Sequence, residues 1–323
     1  MDRKIEGNKM KKDFPLSVVM PVYNAEKYLR DSIESILNQT YENFEFIIVD
    51  NMSTDNSLSI IEEYAKRDKR IKIHQCRKKG FSHALNLGVD KANFNWIARM
   101  DADDISLPHR LKTQVKFIQE NPMVSAIGSY GYYMDATGKR ILGKIKIGPT
   151  SIEEFRKMVK WKKLVFILNV SMIIRKDIFK ELGGYRDLPI LEDLDFNCRM
   201  AEKGHIALVQ PEYLVKVRKT YRSETSSKFF LAQNVMRWIK DSTIRRSKGE
   251  KEIPLNEFLE SLKKEPLLRR INRYRKDMGA YYFKRAGLAL SYRKPFRFIA
   301  FMTAAMLLDP AYTIEKIVRI KFP

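Results

Sequence analysis

The chain has 323 residues, 44% of them apolar and 31% charged, with a formal net charge of +22. That length supports one large domain or two smaller ones with real cores, and the balance excludes a disordered chain. Two cysteines (Cys76 and Cys198) exclude a disulfide framework, the polar opening MDRKIEGNKMKKDF lacks the apolar core of a signal peptide, and no apolar run is long enough to span a bilayer.

Residues 16–22 (LSVVMPV) predict a short buried strand ended by Pro21. Tyr28, Leu29, Ile33, Ile36 and Leu37 then fall at helical spacing. A second strand runs from Phe44 to Val49. Asp50 to Asp55 form a polar turn, and Asp55 is placed to cap the helix that continues to about Lys66. Ile71 to His74 and Phe94 to Met100 predict two more strands, separated by a helix over 82–91. Strand–helix alternation with short loops indicates a parallel sheet covered on both faces. Such sheets bind ligands outside the carboxyl ends of their strands. Three polar loops, 21–24, 50–53 and 101–104, fall at those ends.

Further along, the pattern predicts a helix to about Gln119, two strands (Val124 to Ile127 and Tyr130 to Met134) and a turn over 135–138. A helix over 151–159, a strand over 170–174 and short helices over 176–182 and 191–203 follow. From Ser223 onward the chain reads as Lys- and Arg-rich helices. Residues 214–323 hold 26 Lys and Arg against 10 Asp and Glu, so +16 of the charge sits there. A polyanionic partner is implied: anionic lipid, nucleic acid or a charged glycan. The chain has no zinc-finger spacing and no RNA-recognition aromatic motif, so nucleic acid is not the expected partner. Residues 296–308 (FRFIAFMTAAMLL) are apolar and flanked by basic residues. They are too short to cross a membrane but long enough to lie in its interface, or to pack on the preceding helix, 267–292.

The densest chemistry lies in Met100-Asp101-Ala102-Asp103-Asp104, with three carboxylates at a strand exit. Hard divalent cations prefer oxygen ligands, and Mg²⁺ is usually held by one or two carboxylates with phosphates and water completing its shell. Taken alone the run reads better as an acidic, solvated loop that also starts a helix.

Three stretches, SVVMPVYNAEKYLRDSIESILNQTYENFEFIIVDNMSTDNS, ALNLGVDKANFNWIARMDADDISLPHRLKTQ and GGYRDLPILEDLDFNCRMAEKG, resemble family 2 glycosyltransferases in order and spacing. The resemblance covers about the first 225 residues. It implies an α/β GT-A fold: a Rossmann-like, mostly parallel central sheet with flanking helices, followed here by a helical basic C-terminal extension. The implied organisation is a tail over 1–14, a catalytic domain over 15–222 (nucleotide half about 15–104, acceptor half about 105–222) and a helical region over 223–323. The implied activity is that of an inverting, hexosyltransferase-type enzyme. It would move sugar from a nucleotide-diphosphate sugar, UDP-sugar favoured, to a hydroxyl of a glycan or lipid-linked acceptor in cell-surface polysaccharide synthesis. A degenerate, non-catalytic nucleotide- or glycan-binding protein on the same fold is the alternative.

By the same resemblance, Pro21, Tyr23 and Asp50 line the nucleotide base and ribose. Asp101 contacts ribose and, with Asp103, holds Mn²⁺ or Mg²⁺. Asp193 is the catalytic base, with Glu192 supporting it. Asp104 is expected to start the next helix, and Asp195 to be structural. The turn Asp50-Asn51-Met52-Ser53 departs from the family's Asp-Asp-Gly-Ser, so its backbone angle at Met52 is expected to differ. Leu85 replaces an arginine, and Thr220 a histidine. Arg218, Lys219 and Arg222 are the basic groups left to neutralise a diphosphate. A cytoplasmic setting is expected. The basic tail also suggests a peripheral position on the anionic inner face of the cytoplasmic membrane.

Overall fold

The computed structural model describes residues 14–219 and 228–319. The chain divides into two compact units, Met1–Lys219 and Thr220–Pro323. The domain boundary expected at 222–223 lies outside the described residues.

The first unit is built on a nine-stranded sheet: β1 (Leu16–Val22), β2 (Phe44–Asp50), β3 (Ile71–Gln75), β4 (Trp96–Arg99), β5 (Ile105–Ser106), β6 (Val124–Met134), β7 (Ile141–Ile145), β8 (Ile173–Arg175) and β9 (Ile206–Arg218). Its order is β3-β2-β1-β4-β8-β6-β9-β5, with β7 paired to β6. β3, β2, β1 and β4 are mutually parallel; β8 then runs antiparallel to both β4 and β6, and β9 runs parallel to β6. The helices are α1 (Glu26–Leu37), α2 (Ser57–Arg67), α3 (Phe81–Lys91), α4 (Arg110–Glu120), α5 (Ile152–Lys160), α6 (Lys176–Glu181) and α7 (Glu192–Glu202). This is the expected α/β architecture.

Both faces of the sheet are covered. Along β1, Val18 and Met20 pack with Leu29, Ile33 and Leu111 on one side, while Val19 packs with Leu85, Val89 and Ile97 on the other. All three β1 side chains are fully buried, which is why LSVVMPV is continuously apolar rather than alternating. Gly88 on α3 lets that helix approach closely: a Cβ there would stand 2.4 Å from Val19 Cγ1.

Three elements depart from expectation. The two strands foreseen over 124–134 are one, β6, whose pairing with β9 shifts register at Ser129/Tyr130 and Tyr130/Gly131. Gly128 lies mid-strand, and its lack of a side chain admits Ile167, which a Cβ there would meet at 2.5 Å. β9 itself was not foreseen. Pro211-Glu212 interrupts its apolar pattern, and between Ser129↔Gln210 and Tyr130↔Tyr213 these residues form the bulge that admits a proline within a strand. The strand expected from Val170 begins instead as a 3₁₀ turn, Asn169–Ser171, ahead of β8. The Gln114 side chain takes the Ser171 carbonyl at 2.8 Å, diverting it from a ladder.

The second unit contains α8 (Phe229–Ser247), α9 (Leu255–Lys264), α10 (Leu267–Ser291), α11 (Pro295–Leu308) and α12 (Pro310–Arg319). α10 and α11 pack as a hairpin around Lys294-Pro295. Tyr282 stacks on Phe301 with centroids 6.0 Å apart, and Gly279 faces Asp309 where a Cβ would come within 2.8 Å. Among the described residues no helix is long and apolar enough to cross a membrane.

Candidate active site

The parallel run β3-β2-β1-β4 brings the loops after β1, β2 and β4 to one edge of the sheet. Because β8 is antiparallel to β4, the turn that precedes β8 comes to this edge too, with Arg99 N–H donating to the Met172 carbonyl at 2.8 Å. β9 runs parallel to β6, and its carboxyl end, Arg218, reaches the acidic loop. Tyr23, Asp50, Asp101 to Asp104, Asn169 and Arg218 therefore share an edge although up to 195 positions separate them.

The loops after β1 and β2 are stitched together by short polar side chains. Asn24 N–H donates to Ser53 Oγ and Ala25 N–H to Ser57 Oγ, while Asn24 Oδ1 accepts from Thr54 N–H. Asp55 caps α2 through Ser57 N–H, as expected, and also accepts from Glu26 N–H at the start of α1; Glu26 returns a bond to Asn56 N–H. Pro21 is buried and Tyr23 is exposed at 48%, with Lys79 Nζ 5.2 Å from its ring centroid. Asp50 is buried: its Oδ2 accepts from Ser53 N–H, and its Oδ1 is buried with no hydrogen-bond partner among the described residues. Asn51 ties this turn to the next loop through both the carbonyl and N–H of Gly80. Met52 stands at φ +62°, a left-handed backbone that glycine adopts more readily than methionine.

The acidic loop rests on buried arginines. Arg110 is fully buried and donates to the Arg99 carbonyl at 2.8 Å and to Gln114 Oε1 at 3.0 Å. Arg218, also buried, donates through Nε to the Asp103 carbonyl (2.8 Å) and through Nη1 to the Ala136 carbonyl (2.9 Å), with its guanidinium 4.2 Å from the Tyr28 ring centroid. These bonds commit Arg218 to holding the loop. Asp104 does not start a helix. α4 begins six residues later, and Asp104 is buried under β9, where it accepts the Arg218 N–H at 2.7 Å. Burial, then Asp103 and Asp101, raise the Asp104 carboxyl well above its ordinary range. Burial and the neighbouring Asp101 push Asp103 up to about 6. Lys219 donates its N–H to the Met134 carbonyl and sets Nζ 4.3 Å from the Tyr133 ring centroid. Arg222 and Thr220 lie outside the described residues.

Glu192 and Asp193 open α7. The preceding Leu191 is left-handed (φ +62°), turning the chain sharply into the helix. The approach is fixed from α3: Ser82 Oγ donates to the Arg186 carbonyl, and Asn86 exchanges two bonds with the Tyr185 backbone. Asn169 Nδ2 donates to Asp193 Oδ2, tying α7 to the sheet edge. Burial raises the Asp193 carboxyl, and Arg99 opposes that rise. Burial and Asp193 push Glu192 up to about 7. Asp195 is fully buried and paired with Arg199 (2.8 Å) and Arg186 (3.5 Å); Arg199 also holds the carbonyls of Leu182 and Gly184. That is a structural clamp beneath the helix, as expected.

Arg99 and Asn169 are the residues that sequence reasoning missed. Arg99 is buried at the end of β4, with Nε 3.3 Å from Asp101 Oδ1 and its guanidinium over the rings of Phe81 (4.9 Å) and Tyr185 (5.8 Å). Burial works against its charge, but Asp101, Tyr185, Asp193 and Glu192 together hold it firmly protonated. It is the cation common to the two carboxylate groups. An arginine inside the apolar strand WIAR was the available signal, since arginine is rarely buried unless paired. Asn169 carried no such signal.

With this geometry in hand, comparison with known proteins is informative. A family model described as "Glycosyl transferase family 2" matches residues 17–183. An uncharacterized glycosyltransferase of Haemophilus influenzae is 37% identical over 226 residues, covering 68% of this chain and 69% of the relative. Two solved structures share the fold. S. aureus TarS 1–349 in complex with UDP-GlcNAc is 17% identical at TM-score 0.57, covering 91% of each chain. The mannosyltransferase PcManGT from Pyrobaculum calidifontis, in complex with GDP-Man and Mn²⁺, is 16% identical at TM-score 0.53, covering 92% of this chain and 87% of that one.

Proposed function

The chain belongs to glycosyltransferase family 2 and is a glycosyltransferase, and on that premise we propose that it inverts the anomeric centre of a nucleotide-diphosphate sugar while moving the sugar to a hydroxyl of a glycan or lipid-linked acceptor. The observation that carries this reading is Asp193. Its carboxylate is oriented by Asn169, raised by burial, and set at the edge that also carries Asp50, Asp101 and Asp103.

Inverting transfer is a single displacement. The acceptor hydroxyl oxygen bonds to the anomeric carbon, its proton passes to Asp193, and the bond to the diphosphate breaks with its electron pair leaving on the diphosphate. A carboxylate of ordinary acidity is a weak base for this, so burial brings Asp193 nearer the working pH. Glu192 is held near neutrality, which keeps a second full negative charge away from the base. Arg99 offsets the charge of Asp193 and Asp101, with its Nε 3.3 Å from Asp101 Oδ1.

UDP-sugars are favoured because Asp50 Oδ1 is a buried acceptor with no donor among the described residues, and the imide N–H of uracil is a suitable one. Tyr23, exposed at the end of β1, and Pro21 before it would line the base and ribose. Lys219 and Arg222 remain the basic candidates for the diphosphate, while Arg218 supports the Asp103 loop from beneath. The resemblance to PcManGT, which was solved with Mn²⁺, raises a divalent cation as cofactor. The residues present fit one. Asp101 and Asp103 supply hard oxygen donors two residues apart on one loop. No three His, Cys, Asp or Glu side chains converge among the described residues, so phosphate oxygens and water would complete the shell. When bound, Mn²⁺ or Mg²⁺ supplies charge neutralisation of the departing diphosphate.

Incubating the full chain with a panel of nucleotide sugars and Mn²⁺ tests the proposal. Release of sugar and nucleoside diphosphate from one donor is expected. Nucleotide binding without turnover of any donor, in the presence of acceptor extracts, points to a binding protein instead.

A further inference from the structure

α11 is apolar round its circumference apart from Arg297 and Thr303, yet among the described residues only one side of it is covered. Phe301 and Ala305 face the hairpin partner or are buried within the unit. Phe296, Ile299, Ala300, Thr303 and Leu307, spaced three and four residues apart, lie on the other side and are all exposed, Phe296 at 87% and Leu307 at 79%. That stripe is about 16 Å long at 1.5 Å per residue. A helix this apolar is normally covered by protein or lipid.

Charge identifies the cover. Arg293, Lys294 and Arg297 are exposed at the amino end of the stripe. Residues 267–319 carry 12 Lys and Arg against three Asp and Glu, and a second exposed apolar group, Leu267, Leu268 and Ile271, is interleaved with exposed Arg269 and Arg270 on α10. Apolar side chains interleaved with arginine are what an anionic lipid surface rewards: the rings and methyl groups enter the acyl boundary and the guanidinium groups meet phosphates. A protein partner or a second copy would have to bring a matching acidic rim, and this chain's own described hairpin has none to spare.

We propose that the exposed face of α11, with Arg293, Lys294 and Arg297 at its end, seats the protein on an anionic bilayer surface without crossing it. The proposal does not depend on the donor or on Asp193. It would set the second unit against the surface where a lipid-linked acceptor resides.

The test is sedimentation of the full chain with vesicles of phosphatidylcholine alone or with phosphatidylglycerol added. Binding is expected to need phosphatidylglycerol and to weaken with salt. A Phe296→Gln/Leu307→Gln variant and an Arg293→Glu/Arg297→Glu variant should each lose roughly tenfold in partitioning while keeping the parental melting temperature and soluble donor turnover. A parent that stays in the supernatant with both vesicles overturns the proposal. So does anionic-vesicle binding that the Phe296→Gln/Leu307→Gln variant retains in full. A stable dimer that the same variant dissolves, without vesicle binding, assigns the face to a second copy.

Discussion

Asp193→Asn isolates proton transfer from binding. The substituted amide is the same size and can turn its carbonyl to the Asn169 Nδ2 that now donates to Asp193 Oδ2, but its NH2 then faces the Leu194 N–H that Asp193 Oδ1 accepts at 2.6 Å. It also removes a buried charge that burial penalises, at the cost of one of the carboxylates around Arg99. With the Leu194 N–H left unsatisfied, a stability loss of about 1–3 kcal/mol is expected, which leaves the protein folded. The base is lost outright, which lowers turnover by about 10²–10⁴-fold, or about 3–5 kcal/mol of barrier. Sugar release from the preferred donor measures the rate, and calorimetric binding of the nucleoside diphosphate measures the ground state. The expected result is a collapse of kcat with binding unchanged. A folded variant that turns over its donor at the parental rate refutes the assignment of Asp193.

Further outcomes follow from the same geometry. Glu192 is pushed from its ordinary 4.5 to about 7, so stability is lost as pH rises through that window, by about 3 kcal/mol once both ends are passed. Glu192→Gln should match the parent in thermal denaturation at pH 5 and exceed it at pH 8; equal melting at both pH values would contradict the shift. Arg99→Met strips the cation from Asp101, Glu192 and Asp193 and should destabilise by about 3 kcal/mol at pH 8, with a smaller loss at pH 5.5, where Glu192 is protonated. Asp103→Asn should abolish the Mn²⁺-induced gain in nucleotide affinity seen by calorimetry, while a gain that persists assigns the cation elsewhere. Met52→Val puts a β-branched residue at φ +62° and should cost about 1 kcal/mol in urea denaturation, whereas Met52→Gly should cost nothing.

The sheet edge was legible because its signals are local. Apolar runs such as LSVVMPV and FEFIIV end in polar turns, and parallel pairing gathers those turns whatever the intervening lengths. Long-range pairing was not legible. Nothing in Pro211-Glu212 says that β9 continues past a bulge, and so nothing announced that Arg218 would return to the acidic loop. Asp104 was misread for the same reason: its partner, the Arg218 N–H, is 114 residues away. Asn169 is an ordinary asparagine until antiparallel β8 brings its turn to the end of β4. Arg99 was readable as an anomaly in its strand, but its partners at 192 and 193 come from another part of the chain. For the apolar stretch 296–308 the sequence left membrane interface and packing on the preceding helix both open; it packs in a hairpin, and which of its faces stays uncovered depends on that packing.

The most direct test of the account is the anomeric configuration of the sugar at the moment of release, followed by proton NMR with an α-linked nucleotide sugar and Mn²⁺. A single displacement assisted by Asp193 predicts that the β-anomer forms first and the α-anomer grows in only by mutarotation. The α-anomer appearing first would contradict the inverting mechanism and with it the role given to Asp193.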